Sequence, residues 1–89
     1  MTKSEMAHKN LELLKLFTQE ILVNESLARR VPKGATVIIL PDNDPALAAA
    51  NRKLAQRARK EGKKVVLVQM TLVAKTAYVP QLTVLTSSR

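Results

Sequence analysis

Two periods organise the hydrophobic positions of this chain. Met6, Leu13, Leu14, Phe17 and Ile21, flanked by Leu11, Leu16 and Leu22, recur at helical spacing, while Lys9, Glu12, Lys15, Gln19 and Glu20 fall outside that stripe. Thr2-Lys3-Ser4-Glu5 reads as a capping box, in which a hydroxyl accepts from an orphan amide and a carboxylate reaches back to the cap. The spacing predicts a helix over residues 3–23. Asn24 is placed to cap a further short turn over residues 25–30, which must end before Pro32, and Lys33-Gly34 reverses the chain.

The period then changes. Thr36 to Leu40 is a continuous β-branched and apolar run bounded by Gly34 and Pro41, and Val65 to Met70 has the same character; each predicts a strand buried on both faces. Between them Leu47, Ala50, Leu54 and Ala58 mark one stripe of a second long helix, with Pro45 at its first position and Gly62 just past its last turn. Strand, helix and strand in so short a span form a βαβ unit with parallel strands. Alternation returns at Leu82, Val84 and Thr86, after Tyr78 and Pro80, and predicts a third strand at an edge of the sheet; Ser87, Ser88 and Arg89 are expected to fray. Leu40, Leu54 and Val66 are expected in the core.

The fold class is therefore α/β, with α+β as the alternative, in a single domain spanning residues 1–89. Two or three strands make a poor sheet alone, so a homodimer is expected, sharing either the sheet or the stripe of the first helix. Whether residues 82–86 pair within their own chain is left open by the sequence.

Composition narrows the chemistry. Aromatic residues are 2% of the chain, Phe17 and Tyr78 only, so the stacking platforms of common single-strand binders are missing. There is no cysteine and a single histidine, His8, which excludes thiolate nucleophiles, disulfides and a histidine metal cluster within one chain. No apolar run approaches a membrane span, and the polar start is unlike a signal peptide; a soluble cytoplasmic protein without a cofactor is expected.

Charge sharpens this picture further. Six Lys/Arg and six Asp/Glu cancel over residues 1–51, so the whole net charge of +8 comes from the remainder, where Glu61 is the sole acid. Seven cations, Arg52, Lys53, Arg57, Arg59, Lys60, Lys63 and Lys64, lie on the second long helix and the turn after it. Such a run is commonly a solvated face. Here it lacks the interleaved acids that would relieve repulsion along the helix, and an anionic partner would supply them. An acidic protein and nucleic acid bound without sequence preference both fit; no helix-turn-helix spacing, zinc-finger signature or aromatic RNA-binding motif favours sequence-specific reading.

Asp42 and Asp44 follow the first strand, where open α/β sheets bind ligands, and two carboxylates there suit Mg²⁺. The simpler reading makes Asp44 the cap of the second long helix, Pro45 its first residue and Asp42 a charge favoured by the helix dipole. Metal-dependent catalysis needs further carboxylates from later strand ends, and Glu61 is the only later acid. Asn51, the polar member of the helix stripe, is expected to be at least partly buried and to bond the loop after the first strand or its mate across a dimer.

The order Leu40-Pro41-Asp42-Asn43-Asp44-Pro45-Ala46-Leu47, then Asn51, Leu54-Ala55, Gly62 and Val65-Val66-Leu67-Val68 resembles a family of small uncharacterised prokaryotic proteins. Leu27-Ala28 and Val31-Pro32-Lys33-Gly34 extend the resemblance over residues 24–70. It implies the layout just described and, since that family carries no known activity, assigns no site. The resulting expectation is a non-catalytic protein, in a regulatory or antitoxin-like accessory role, that binds an anionic macromolecule through the basic helix. The alternatives are a non-specific nucleic-acid binder and a metal-dependent phosphoryl-transfer or nucleotide enzyme using Asp42 and Asp44.

Overall fold

The computed structural model describes residues 1–73 and 79–88. Thr2 caps the first helix, α1 (Lys3–Val23), through the expected box: its hydroxyl accepts from the Glu5 amide at 3.0 Å, and the Glu5 carboxylate accepts from the Thr2 amide at 3.2 Å. Asn24 ends α1 and caps α2 (Glu25–Arg29) by accepting from the Leu27 amide at 3.1 Å. A short reversal at Gly34, whose φ of 80° suits a residue without a Cβ, leads into β1 (Thr36–Pro41). Then come α3 (Pro45–Lys60), β2 (Val65–Val73) and β3 (Val79–Ser88). Gly62, at φ 82°, ends α3, and the Lys63 amide donates back to the Ala58 carbonyl as in a helix-terminating glycine turn.

The three strands form one mixed sheet in the order β1-β2-β3. β1 and β2 are parallel, in register from Thr36 opposite Val65 to Pro41 opposite Met70, as a βαβ unit requires. β3 returns antiparallel to β2 and answers the question of residues 82–86: they pair within their own chain. Ser87 and Ser88 do not fray but pair opposite Val66 and Val65; Tyr78 and Arg89 lie outside the described residues. The alternation of β3 is broken by a bulge: Val84 stands opposite Val68, yet Thr86 stands opposite Leu67, which leaves Leu85 as the additional residue.

Because β2 is central, its two sets of alternate side chains go to two helices. Val66, Val68 and Met70 pack with Leu13 and Phe17 of α1, and Ile39 and Leu47 complete that cluster. Val65 and Leu67 pack with Ala55 and Ala58 of α3 and with Leu40. Small residues on α3 let it approach the sheet closely. β1 is more exposed than its composition suggests: Thr36, Val37 and Ile38 are half-buried, since β1 is an edge strand. The Thr36 and Asp42 amides donate toward β2, to Lys64 and Met70, so Val37, Ile39 and Pro41 turn their backbone groups to the open edge. Pro41, which has no amide hydrogen, is tolerated there for that reason.

Leu40 and Val66 are buried as expected, but Leu54 is not a core residue. The buried stripe of α3 is Leu47, Asn51, Ala55 and Ala58, about one position round from the predicted one, and Leu54 flanks it half-buried. Leu47→Ala is therefore expected to cost about 2–5 kcal/mol, and Leu54→Ala clearly less, as read from urea unfolding midpoints.

Candidate functional site

The loop from Asp42 to Asp44 is built from both sides of the sheet. Asp44 is the cap of α3, its Oδ1 accepting from the Leu47 amide at 3.1 Å, with Pro45 at the first helical position. Its Oδ2 accepts from Lys9 Nζ at 2.9 Å, an ion pair that ties the middle of α1 to the start of α3. The hydrogen bond from Lys9, and then that from the Leu47 amide, hold the Asp44 carboxyl below its ordinary value of 3.8. Asp42 bonds to the neighbouring strand. Its two oxygens accept from the Thr71 hydroxyl and from Gln69 Nε2, the latter at 2.8 Å, and these two bonds, Thr71 first, keep its carboxyl below 3.8.

All four carboxylate oxygens of the loop thus accept a protein donor already, and they turn toward different elements, β2 and α1. Among the described residues no group of three or more His, Cys, Asp and Glu side chains is arranged to hold a metal ion. His8, Lys9, Glu12 and Asp44 all line one cleft of about 220 Å³. Glu12 lies one turn beyond His8 on α1, a relation visible in the sequence; that Asp44 joins them is decided by tertiary packing.

Asn51 is buried, with 2% of its surface exposed, and fully bonded. It donates to the Ile39 carbonyl on the open edge of β1 at 2.8 Å and forms a reciprocal amide pair with Asn10 of α1, at 2.9 and 3.1 Å. Its partners are thus β1 itself and α1, rather than the loop after β1. Asn10 escaped the sequence reading, although Met6, Asn10, Leu13 and Phe17 share the spacing of the buried stripe.

Arg52, Lys53, Arg57 and Lys60 are all exposed and share one broad outer face of α3, whose two borders line different clefts. Arg52 borders a cleft of about 160 Å³ with Asp42, Gln69 and Leu85, on the side of α3 facing the far strands. Lys53 and Arg57, one turn apart, flank a larger groove of about 450 Å³ opposite Lys3 of α1. Arg59 is half-buried, Lys60 is exposed on the outer side, and Lys63 pairs with Glu61 at 3.3 Å. Arg57, Arg59 and Lys60 occupy the last turn of α3, where the negative end of the helix dipole favours cations. Arg52 and Lys53 lie too far from that end to benefit. Among the described residues, Arg52, Lys53, Arg57 and Lys60 make no ion pair.

Asn51→Ala is expected to cost about 1–3 kcal/mol, because the Ile39 carbonyl and Asn10 lose a buried partner, and Asn10→Ala less, since Asn10 is nearer solvent. A double-mutant cycle should show coupling between the two. Asp42 and Asp44 titrate below 3.8 in the folded chain, so their stabilisation is complete above that value and disappears as pH falls through the lowered folded values. Urea midpoints between about pH 6 and pH 2 should fall less steeply in Asp42→Asn and Asp44→Asn than in the parent, and Mg²⁺ or Mn²⁺ should leave the parent Tm unchanged.

A search of curated proteins and a search of solved structures each returned no match. The model of the Family of unknown function (DUF5647) matches residues 5–79, from the first turn of α1 to the start of β3, and the chain belongs to that family.

Proposed function

We propose that the protein is a binding module, without catalytic activity of its own, that recognises an anionic macromolecular partner through α3. The observation that carries this reading is the set Arg52, Lys53, Arg57 and Lys60, four cations on the outside of one helix that no carboxylate of the described residues neutralises. Several acids elsewhere in the chain already have partners: Glu5 in a cap, Glu12 with Lys15, Glu25 with Arg29 and Asp44 with Lys9. The cost of holding unrelieved like charges on one helix is recovered when an anion binds. Nucleic acid bound through phosphates is the alternative partner. A metal-dependent enzyme is the reading the geometry favours least, because the oxygens of Asp42 and Asp44 are taken by Thr71, Gln69, Leu47 and Lys9.

The second copy expected from the sequence belongs here too. α1 and α3 of one chain already cover both faces of β2, which removes one reason for a dimer. Another appears: Leu11, Leu22 and Val23 lie exposed on α1, the last two at 79%. We propose that copies meet through this stripe, whose helix carries balanced charge in Lys3, Lys9 and Lys15 against Glu5, Glu12 and Glu20.

Fluorescence anisotropy with labelled polyglutamate and labelled duplex DNA tests the first proposal. Binding should weaken steeply with salt, and replacing Arg52, Lys53 and Lys60 together with Gln should weaken it and flatten the salt dependence. Absence of binding to either polyanion at about 0.1 M salt, where the Debye length is near 10 Å, overturns it. Sedimentation should give about twice the 9.8 kDa chain mass at micromolar concentration, reverting to monomer in Leu11→Gln/Leu22→Gln.

A further inference from the structure

A groove of about 450 Å³ runs between the N-terminal half of α1 and α3. Its floor is apolar, made by Met6 and Ala7 on one helix and Ala50 and Leu54 on the other. The depth comes from composition: Ala7 and Ala50 end at Cβ, so two helices that meet deeper down through the Asn10–Asn51 pair leave a channel above it. The amides at the base are already bonded to each other and demand nothing from a ligand. Around this apolar floor stand three cations, Lys3, Lys53 and Arg57, with no anion of the described residues paired to them.

This combination selects among occupants. Nucleic acid would satisfy the cations but offers its bases no aromatic surface here, and phosphates gain nothing from an apolar floor. A second copy would carry its own Lys3, Lys53 and Arg57 toward the same channel and place like charges together. A segment with apolar side chains on one side and carboxylates beside them satisfies both parts: its apolar groups cover Met6, Ala7, Ala50 and Leu54, and its carboxylates meet the rim. The long stems of Lys53 and Arg57 can follow such a segment while keeping their charges at its edge.

We propose that this groove is the docking site for an acidic amphipathic helix of a partner protein, laid between α1 and α3 in the helix-in-groove manner. The proposal rests on the reading of an anionic partner and narrows it to one class and one place.

The probe is a fluorescein-labelled peptide of about 15 residues, roughly 22 Å of helix, with leucine at i, i+3, i+4 and i+7 and glutamate elsewhere. Its controls are a scrambled peptide of equal composition, polyglutamate of equal length and duplex DNA, all measured by anisotropy at about 0.1 M salt. The patterned peptide should bind at least about tenfold more tightly than the scrambled one and polyglutamate. Ala7→Trp, which fills the channel from an exposed position without changing charge, should abolish that advantage, and Lys33→Gln, in the exposed turn before β1, should leave it intact. Lys53→Glu/Arg57→Glu should lose the acidic peptide and gain its lysine counterpart, a charge swap that a misfolded variant would not show.

Equal binding of the patterned peptide, the scrambled peptide and polyglutamate, insensitive to Ala7→Trp, overturns the groove while leaving the anionic-partner reading standing. Preferential binding of duplex DNA with the same insensitivity does likewise. A parent dimer that Ala7→Trp converts to monomer makes a second copy the occupant and overturns the proposal. Failure of every anion to bind overturns both readings.

Discussion

The arrangement depends on one buried amide. Asn51 sits where α1, α3 and β1 converge, and it donates to Ile39 on the open edge of β1 while exchanging hydrogen bonds with Asn10. A buried amide tolerates few geometries, because each unmet donor or acceptor carries a desolvation penalty. Leucine at the same place would pack against several rotations of α3; asparagine accepts the one in which Ile39 and Asn10 are both in reach. That rotation brings Ala55 and Ala58 onto β2, sends Leu54 to the flank, and sets Arg52 at one border of the outer face of α3 and Lys53 and Arg57 at the other.

The same constraint protects the sheet. β1 is an edge strand whose outward backbone groups would otherwise template pairing with another chain. The Asn51 side chain occupies the Ile39 carbonyl, and Pro41 removes one donor from that edge altogether. At the end of β1, Asp42 is held by Gln69 and Thr71 of the neighbouring strand and Asp44 by Lys9 of α1. Each acid thus joins the loop to a different element, Asp42 to β2 and Asp44 to α1. Their depressed carboxyl values follow from the donors around them and carry no catalytic implication of their own.

Electrostatically the chain is divided by element. α1 balances its charges along its own length, whereas α3 and the turn after it concentrate cations, and only the last turn of α3 is favoured by the helix dipole. Folding stability gains little from such an arrangement and loses some to repulsion.

Local chemistry was legible in the sequence wherever a few consecutive residues decide the outcome. The capping box at Thr2, the caps at Asn24 and Asp44 and the glycine after α3 follow from backbone groups that must find partners within a turn or two, and the parallel βαβ unit from the change of hydrophobic period along the chain. The burial of Asn51 was legible too, from its place in an apolar stripe. Its partners were not, since Asn10 is 41 residues away and nothing local ties them. The bulge at Leu85, the pairing of Ser87 and Ser88, and the engagement of Asp42 by β2 were equally hidden, because each depends on which strand lies alongside. The phase of α3 fell between: a stripe of alanines and leucines fits two adjacent rotations about equally, and only packing against β2, with the amide pair to satisfy, chose between them. Sequence determined which elements form and where they end, because those choices are made by near neighbours along the chain; the faces they present, and so the groove between α1 and α3, were decided by contacts across the fold.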